Sequence, residues 1–209
     1  DVDDRVVGAI EHILASEDDG EVLAFLPGKV EIRDCMSALS QIERRHDAVE
    51  IMEVHASLPM HTLMRAFEDP TPSRRRIFLA TNVAETSITL PGVTWVVDSG
   101  LVRMQLHRGG RTALALTPTS EASMDQRAGR AGRVRPGRCI RLWERNWMPQ
   151  PTTSPEIERI ELDDVLLRAA VCGLDGDAFE AEPWVTQPPE FSVMRAREEL
   201  HRIRALDAD

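Results

Sequence analysis

Eight residues, Gln126-Arg127-Ala128-Gly129-Arg130-Ala131-Gly132-Arg133, set two arginines three apart behind a glutamine, with a glycine before each. On a helix, Arg130 and Arg133 at i and i+3 share one face. The small residues between them let another backbone or a ligand approach closely. Planar, permanently charged guanidinium forks suit phosphate oxygens, and two aimed at one point suit a transferring phosphoryl group. Most arginine clusters are solvated helix faces. The leading glutamine and the repeated Gly-Arg argue against that reading here.

A second constellation stands upstream. The apolar run Ile77-Phe78-Leu79 reads as a buried strand and runs into Ala80-Thr81-Asn82. Hydroxyl and amide side chains at a strand's carboxyl end can present donors to a ligand in the crevice there. The plainer alternative is a strand followed by an ordinary helix cap.

The elements around these residues alternate. Val6, Val7, Ile10, Ile13 and Leu14 recur at helical spacing, and a strand follows at about 21–26. A helix over about 30–45 carries Ile32, Met36, Leu39 and Ile42 on one side. Strands near 49–54, 76–80 and 94–98 are separated by a helix after Pro59 and a short one after Asn82. Such alternation predicts an α/β fold, a doubly wound parallel sheet with helices on both faces. Ligands then collect at the carboxyl ends of the strands, where both constellations sit.

Two further segments depart from that pattern. Val102, Met104 and Leu106 alternate with polar residues, and Leu114 and Leu116 alternate again beyond Arg108-Gly109-Gly110-Arg111. Period-2 runs joined through Gly-Gly predict an inserted β-hairpin, with a surface ornament as the alternative to a functional one. Beyond Trp147, a proline-rich connection (148–155) leads to Leu162, Val165, Leu166 and Ala170 at helical spacing. Another helix follows Pro188-Pro189, with Val193, Leu200 and Ile203 as its apolar side. The expected division is a domain over 1–147 and a linker with a short helical segment over 148–209.

Composition narrows the function classes. A chain of 209 residues with 42% hydrophobic content supports a packed core, and no apolar run is long enough for a membrane span. No signal-peptide pattern opens the chain, and a start at Asp1 reads as an excised piece of an intracellular protein. Cys35, Cys139 and Cys172 lack paired spacing, which predicts reduced thiols rather than disulfides or zinc. The histidines are scattered, His55 and His61 read as structural or surface residues, and no metal site is expected. The net charge of −10 hides an asymmetry: residues 74–145 hold 13 arginines against five acids, +8, leaving −18 elsewhere. A basic block in an acidic body fits phosphate binding on one face.

Taken in order, several strings resemble the motifs of one family. The octet at 126–133 resembles the last motif of superfamily 2 helicases, and Ala80-Thr81-Asn82-Val83-Ala84-Glu85-Thr86-Ser87-Ile88-Thr89-Leu90-Pro91-Gly92-Val93 resembles the fifth motif of DEAH/RHA-type RNA helicases. Val22-Leu23-Ala24-Phe25-Leu26-Pro27-Gly28 with Glu31-Ile32 is similar to the motif opening the second RecA-like domain. His55-Ala56-Ser57-Leu58-Pro59 and Arg65-Ala66-Phe67-Glu68 resemble the next block, and Val96-Val97-Asp98-Ser99-Gly100-Leu101 the strand after the fifth motif. The string beginning at Pro155-Glu156-Ile157 resembles the entry to the family's winged-helix domain, of which only a part is present. The likeness covers roughly residues 5–170.

The resemblance implies a RecA-like fold and the second motor domain of an ATP-dependent RNA helicase. Gln126, Arg130 and Arg133 would then be the catalytic set facing the γ-phosphate. Thr89 would look back toward the nucleotide, Ser87 would sense its state, and Phe67 would stack on the base unless it is a core residue. Ser57, Thr81 and Asn82 would contact the RNA backbone, and Arg103, Arg108 and Arg111 would give the hairpin phosphate contacts. Pro91 stands where many members carry an acid that can bond the ribose. No Gly-x-x-x-x-Gly-Lys-Ser/Thr string and no Asp-Glu-x-His box occur, so the chain carries half of an ATPase site and is expected to be inactive alone. ATP and Mg2+ would be held mainly by a first RecA-like domain of the same protein. Expected partners are that domain and RNA, single-stranded or a duplex with an overhang. An activating protein is allowed for, and no membrane is expected. The alternative function is a RecA-like module that holds RNA or a partner without ATPase activity. It would be distinguished by the absence of a phosphate loop upstream.

Overall fold

Two strands of the sheet form where the sequence supplies unbroken apolar runs, Val22–Phe25 and Ile77–Ala80. The computed structural model describes residues 1–16, 18–45, 48–68, 74–108, 111–133 and 135–206, with the backbone alone at 45, 108 and 111. Helix α1 (Val2–Leu14) starts where Asp1 Oδ1 accepts from the Val2 N–H at 2.9 Å, and it buries Val6, Ile10 and Ile13. Strand β1 (Glu21–Phe25) is buried throughout, and α2 (Lys29–Arg45) buries Ile32, Cys35 and Leu39 at helical spacing. β2 (Val49–Val54) leads through α3 (Met60–Met64) and a tighter 3-10 turn (Arg65–Phe67). β3 (Arg75–Ala80), α4 (Val83–Thr86) and β4 (Val93–Asp98) follow. Strands β5 (Leu101–Arg108) and β6 (Arg111–Pro118) form the hairpin, and their expected turn at Gly109-Gly110 lies outside the described residues. Helix α5 (Glu121–Ala128) is capped by Ser120, whose Oγ accepts from the Ser123 N–H. β7 (Arg138–Arg141) then joins the sheet.

The five strands run parallel in the order β2-β3-β1-β4-β7. Residues of opposite parity face opposite sides, as a pleat requires. Val22, Ala24, Ile77, Leu79 and Val97 pack with the apolar faces of α1 and α2. Leu23, Phe25, Phe78, Ala80 and Val96 form the other core with Ala66, Ala84, Leu90 and Ala131. The doubly wound sheet read from the sequence is therefore present, with β7 as an edge strand that the sequence analysis did not anticipate. Only two apolar residues, Cys139 and Ile140, stand between its flanking arginines, too few to signal a strand. Its entry depends on Gly137, where an added Cβ would lie 2.0 Å from the Ala131 carbonyl oxygen. Gly100, after β4, has φ +72° and would press a Cβ to 2.7 Å from the Trp143 ring, so only glycine fits there.

The chain divides into two compact units, residues 1–103 with 116–153 and residues 104–115 with 154–209. The second contains α6 (Asp163–Val171), α7 (Gly176–Ala181) and α8 (Glu190–Arg202) around Leu162, Leu166, Phe179, Val193, Ala196 and Leu200. α7 is an addition to the two helices expected. Trp184 Nε1 donates to the Phe179 carbonyl at 2.9 Å and closes this small core. The distal half of the hairpin belongs to this unit: the His107 N–H donates to the Arg159 carbonyl at 2.7 Å, and Arg195 Nη1 meets His107 Nε2 at 2.9 Å. A guanidinium can only donate, so Nε2 accepts and the imidazole proton sits on Nδ1, facing Glu161 Oε1 at 3.0 Å. Among the described residues no helix is long and apolar enough to cross a membrane.

Candidate functional site

The octet does not form one continuous helix. α5 stops at Ala128, and the chain continues through i→i−3 turns, Arg130 N–H to Arg127 O at 3.0 Å and Ala131 N–H to Ala128 O at 3.1 Å. Two glycines in four residues oppose helix continuation, each by about 1 kcal/mol relative to alanine. The expectation that Arg130 and Arg133 share a helix face is thereby corrected. They are brought together by a different means, the loop over Glu85–Thr89.

Arg130 is buried, its Nη1 donating to the Ile88 carbonyl at 2.7 Å and its Nη2 to the Glu85 carbonyl. Burial lowers its affinity for the proton, Arg133 nearby lowers it further, and Glu85 opposes both. Arg130 and Arg133 line one small crevice with Thr89. Arg133 is exposed, and its Nη1 donates to Thr89 Oγ1 at 2.5 Å. Gln126 is exposed near the end of α5, and Ser87 is exposed at the end of α4. The crevice lined by Ala84, Ile88, Thr89, Arg130 and Arg133 holds about 10 Å³, room for about one water molecule.

The second group lies at the carboxyl ends of β2 and β3, neighbours in register from Val49–Arg75 to Val54–Ala80. Thr81, just past β3, donates its N–H to the Val54 carbonyl at 3.1 Å. Asn82 is the residue before α4, yet its exposed side chain makes no capping hydrogen bond. The plain capping alternative therefore does not account for the amide. Ser57 is exposed in the turn after β2, where the Leu58 N–H donates to the His55 carbonyl at 3.1 Å. Phe67 is half-buried on the 3-10 turn and lies outside both sheet cores.

Arg103 is already engaged. Its Nη2 donates to Glu31 Oε1 at 2.6 Å, and its stem lies where a Cβ on Gly28 would be. Burial pushes the Glu31 carboxyl up, but the Arg103 hydrogen bond, a backbone hydrogen bond and the Arg103 charge together outweigh it and hold it below its usual value. The side chains of Arg108 and Arg111 lie outside the described residues.

Sequence reasoning missed Arg127. It is 1% exposed, with Nε donating to Glu85 Oε2 at 3.1 Å and Nη1 to Asp98 Oδ1 at 2.8 Å and the Leu101 carbonyl at 3.3 Å. The signal was its spacing from Met124: the two are the buried residues of α5, three apart. Among the described residues, no group of histidine, cysteine, aspartate or glutamate side chains is arranged to hold a metal ion.

Residues 5–135 match the helicase conserved C-terminal domain family. The chain is 36% identical over 225 aligned positions to the probable ATP-dependent RNA helicase DHX35 of Homo sapiens, covering 100% of this chain and 31% of that protein. It is 40% identical over 200 positions to the ATP-dependent RNA helicase HrpA of Escherichia coli (strain K12), covering 94% of this chain and 15% of that one. The solved structure of the Escherichia coli DEAH/RHA helicase HrpB superposes with a TM-score of 0.89 at 31% identity, over 99% of this chain and 26% of that chain. The chain thus spans about a third or less of the relatives it matches.

Proposed function

The chain belongs to the helicase conserved C-terminal domain family, and from that premise we propose that it is the second motor domain of an ATP-dependent RNA helicase. The observation that carries the reading is the convergence of Arg130 and Arg133 on the Glu85–Thr89 loop, one turn of α4 from Thr81 and Asn82. The motor domain is assigned to 1–147, and 148–209 is assigned to a linker and the start of a winged-helix domain.

Catalysis in this reading is electrostatic. ATP lies between this domain and a first RecA-like domain, which holds most of the triphosphate. On closure Gln126 positions water, and Arg130 and Arg133 face the charge that builds on the γ-phosphate oxygens. Arg130 arrives already oriented by two carbonyls, which lowers the reorganisation needed in the transition state. Arg133 would exchange Thr89 for phosphate. Among the described residues no cluster of carboxylate or imidazole side chains is placed to hold a metal ion, so Mg2+ would be held with the triphosphate by the first domain. Phe67 stacks on the base, and Ser87 and Thr89 report the nucleotide's state to the loop. Ser57, Thr81 and Asn82 contact the RNA backbone. Arg103 joins them on release of Glu31, and Arg108 and Arg111 extend the contact along the hairpin. Nothing in the arginine geometry favours a module without ATPase activity.

The test uses the full-length protein. Arg130→Ala or Arg133→Ala lowers ATP turnover by roughly three orders of magnitude or more, with little change in RNA affinity. Thr81→Ala with Asn82→Ala weakens RNA binding and RNA-stimulated turnover instead. Arginine variants that lose RNA binding while keeping turnover would reverse the assigned roles.

A further inference from the structure

Arg127 does not line the crevice that Arg130 and Arg133 share. It is buried between Glu85, Asp98 and the Leu101 carbonyl, with its guanidinium 5.1 Å from the centre of the Phe25 ring. A buried ion pair stabilises a fold no better than well-packed apolar residues of similar volume. Arg127 instead fixes the geometry of Glu85, Asp98 and the Leu101 carbonyl around it.

Glu85 is the point where that geometry meets the arginines. Its carboxylate accepts from Arg127, its backbone carbonyl accepts from Arg130, and its charge also acts on Arg130. At the other end of the same turn, the Asn82 carbonyl accepts from the Glu85 N–H at 3.0 Å, and the Thr81 carbonyl accepts from the Ala84 N–H at 3.1 Å. Asn82 and Glu85 are thus separated by one hydrogen-bonded helical turn, a rise of about 4.5 Å. The turn is held at its carboxylate by Arg127 and at its carbonyl by Arg130.

We infer that Glu85 and Arg127 are a positioning pair through which RNA contact at Thr81 and Asn82 sets the placement of Arg130. The inference rests on the motor-domain reading. Neither residue touches RNA or ATP. With Arg127 holding Glu85 to the ends of β4 and β5, a push on Asn82 reaches Arg130 rather than dissipating in a loose loop.

The experiment measures ATP turnover by the full-length protein with and without single-stranded oligouridine, together with KM for ATP and RNA affinity. Glu85→Gln keeps an acceptor oxygen and removes the charge, and Arg127→Lys keeps the charge but reaches only one carboxylate. Either variant lowers the ratio of RNA-stimulated to basal turnover by about tenfold, within the usual span of coupling between sites. KM and RNA affinity stay within about twofold, a change small beside that coupling. Loss of folded protein alone would scale both turnovers together and leave the ratio intact. A stimulated parent whose variants keep its ratio overturns the inference and leaves the motor-domain reading standing. Loss of RNA affinity in step with the ratio makes the pair part of the RNA site and also overturns it. A parent that RNA does not stimulate overturns the functional reading itself.

Discussion

Replacing Arg127 with methionine removes the cation that lies between the Asp98 and Glu85 carboxylates. Asp98 is fully buried and Glu85 is mostly so, its side chain 15% exposed, so solvent can re-hydrate only the second. Removing one partner of a buried pair costs about 3–5 kcal/mol, because a charge is left unpaired. Partial hydration of Glu85 places this case toward the lower end, about 3 kcal/mol. Against a total stability of roughly 5–15 kcal/mol this is a large share. For a chain of this size it lowers Tm by roughly 6–12 °C. Urea titration followed through tryptophan fluorescence measures it, since Trp95 lies in β4, three residues before Asp98, and is 8% exposed. Asp98→Asn added to Arg127→Met removes a stranded charge and recovers part of the loss. Arg168→Met is the control: its pair with Asp164 is 79% and 70% exposed, and its midpoint stays with the parent. An Arg127→Met midpoint within about 1 kcal/mol of the parent, unimproved by Asp98→Asn, would refute the buried-charge argument.

Gly137→Ala places a methyl against the Ala131 carbonyl and the Thr94 oxygen, both backbone, so β7 detaches and amide exchange rises at Cys139–Arg141. Unchanged protection there would show that the chain can shift at no cost. In native protein at pH 8, iodoacetamide labels the exposed Cys172 alone. Burial, with Asp3 and Asp34 nearby, pushes the Cys35 thiol up to about 12, and burial, with Asp98 nearby, pushes Cys139 up to about 11. Mass spectrometry finding adducts on Cys35 before unfolding would contradict that core. Phe67→Ala in the full-length protein folds normally and raises KM for ATP, GTP, CTP and UTP alike, because stacking reads no base edge. With Pro91 unable to bond the ribose, the parent hydrolyses the four at rates within about tenfold; a strong preference for ATP alone contradicts the stacking role.

The interior strands were legible because a parallel strand buried on both faces is an unbroken apolar run. Val22–Phe25, Ile77–Ala80 and Trp95–Val97 read that way, and each lies in the sheet as expected. The hairpin was legible from its period-2 alternation, and α6 and α8 from their apolar faces. β7 and α7 were not: each is short, and each is held by what it packs against rather than by its own pattern. The residues able to meet phosphate could be listed from type and spacing alone, because guanidinium and hydroxyl chemistry is local.

Which arginine does what was decided only by the tertiary structure. Arg127, Arg130 and Arg133 are three apart and chemically identical, yet the first is buried on Asp98 and Glu85, the second is bound to loop carbonyls, and the third reaches Thr89 at the surface. Their partners lie 29 to 45 residues away in sequence. No local pattern can encode a partner that distant. Charge burial depends on how the sheet brings the ends of β3 and β4 beside α5, and that is a property of the packed fold.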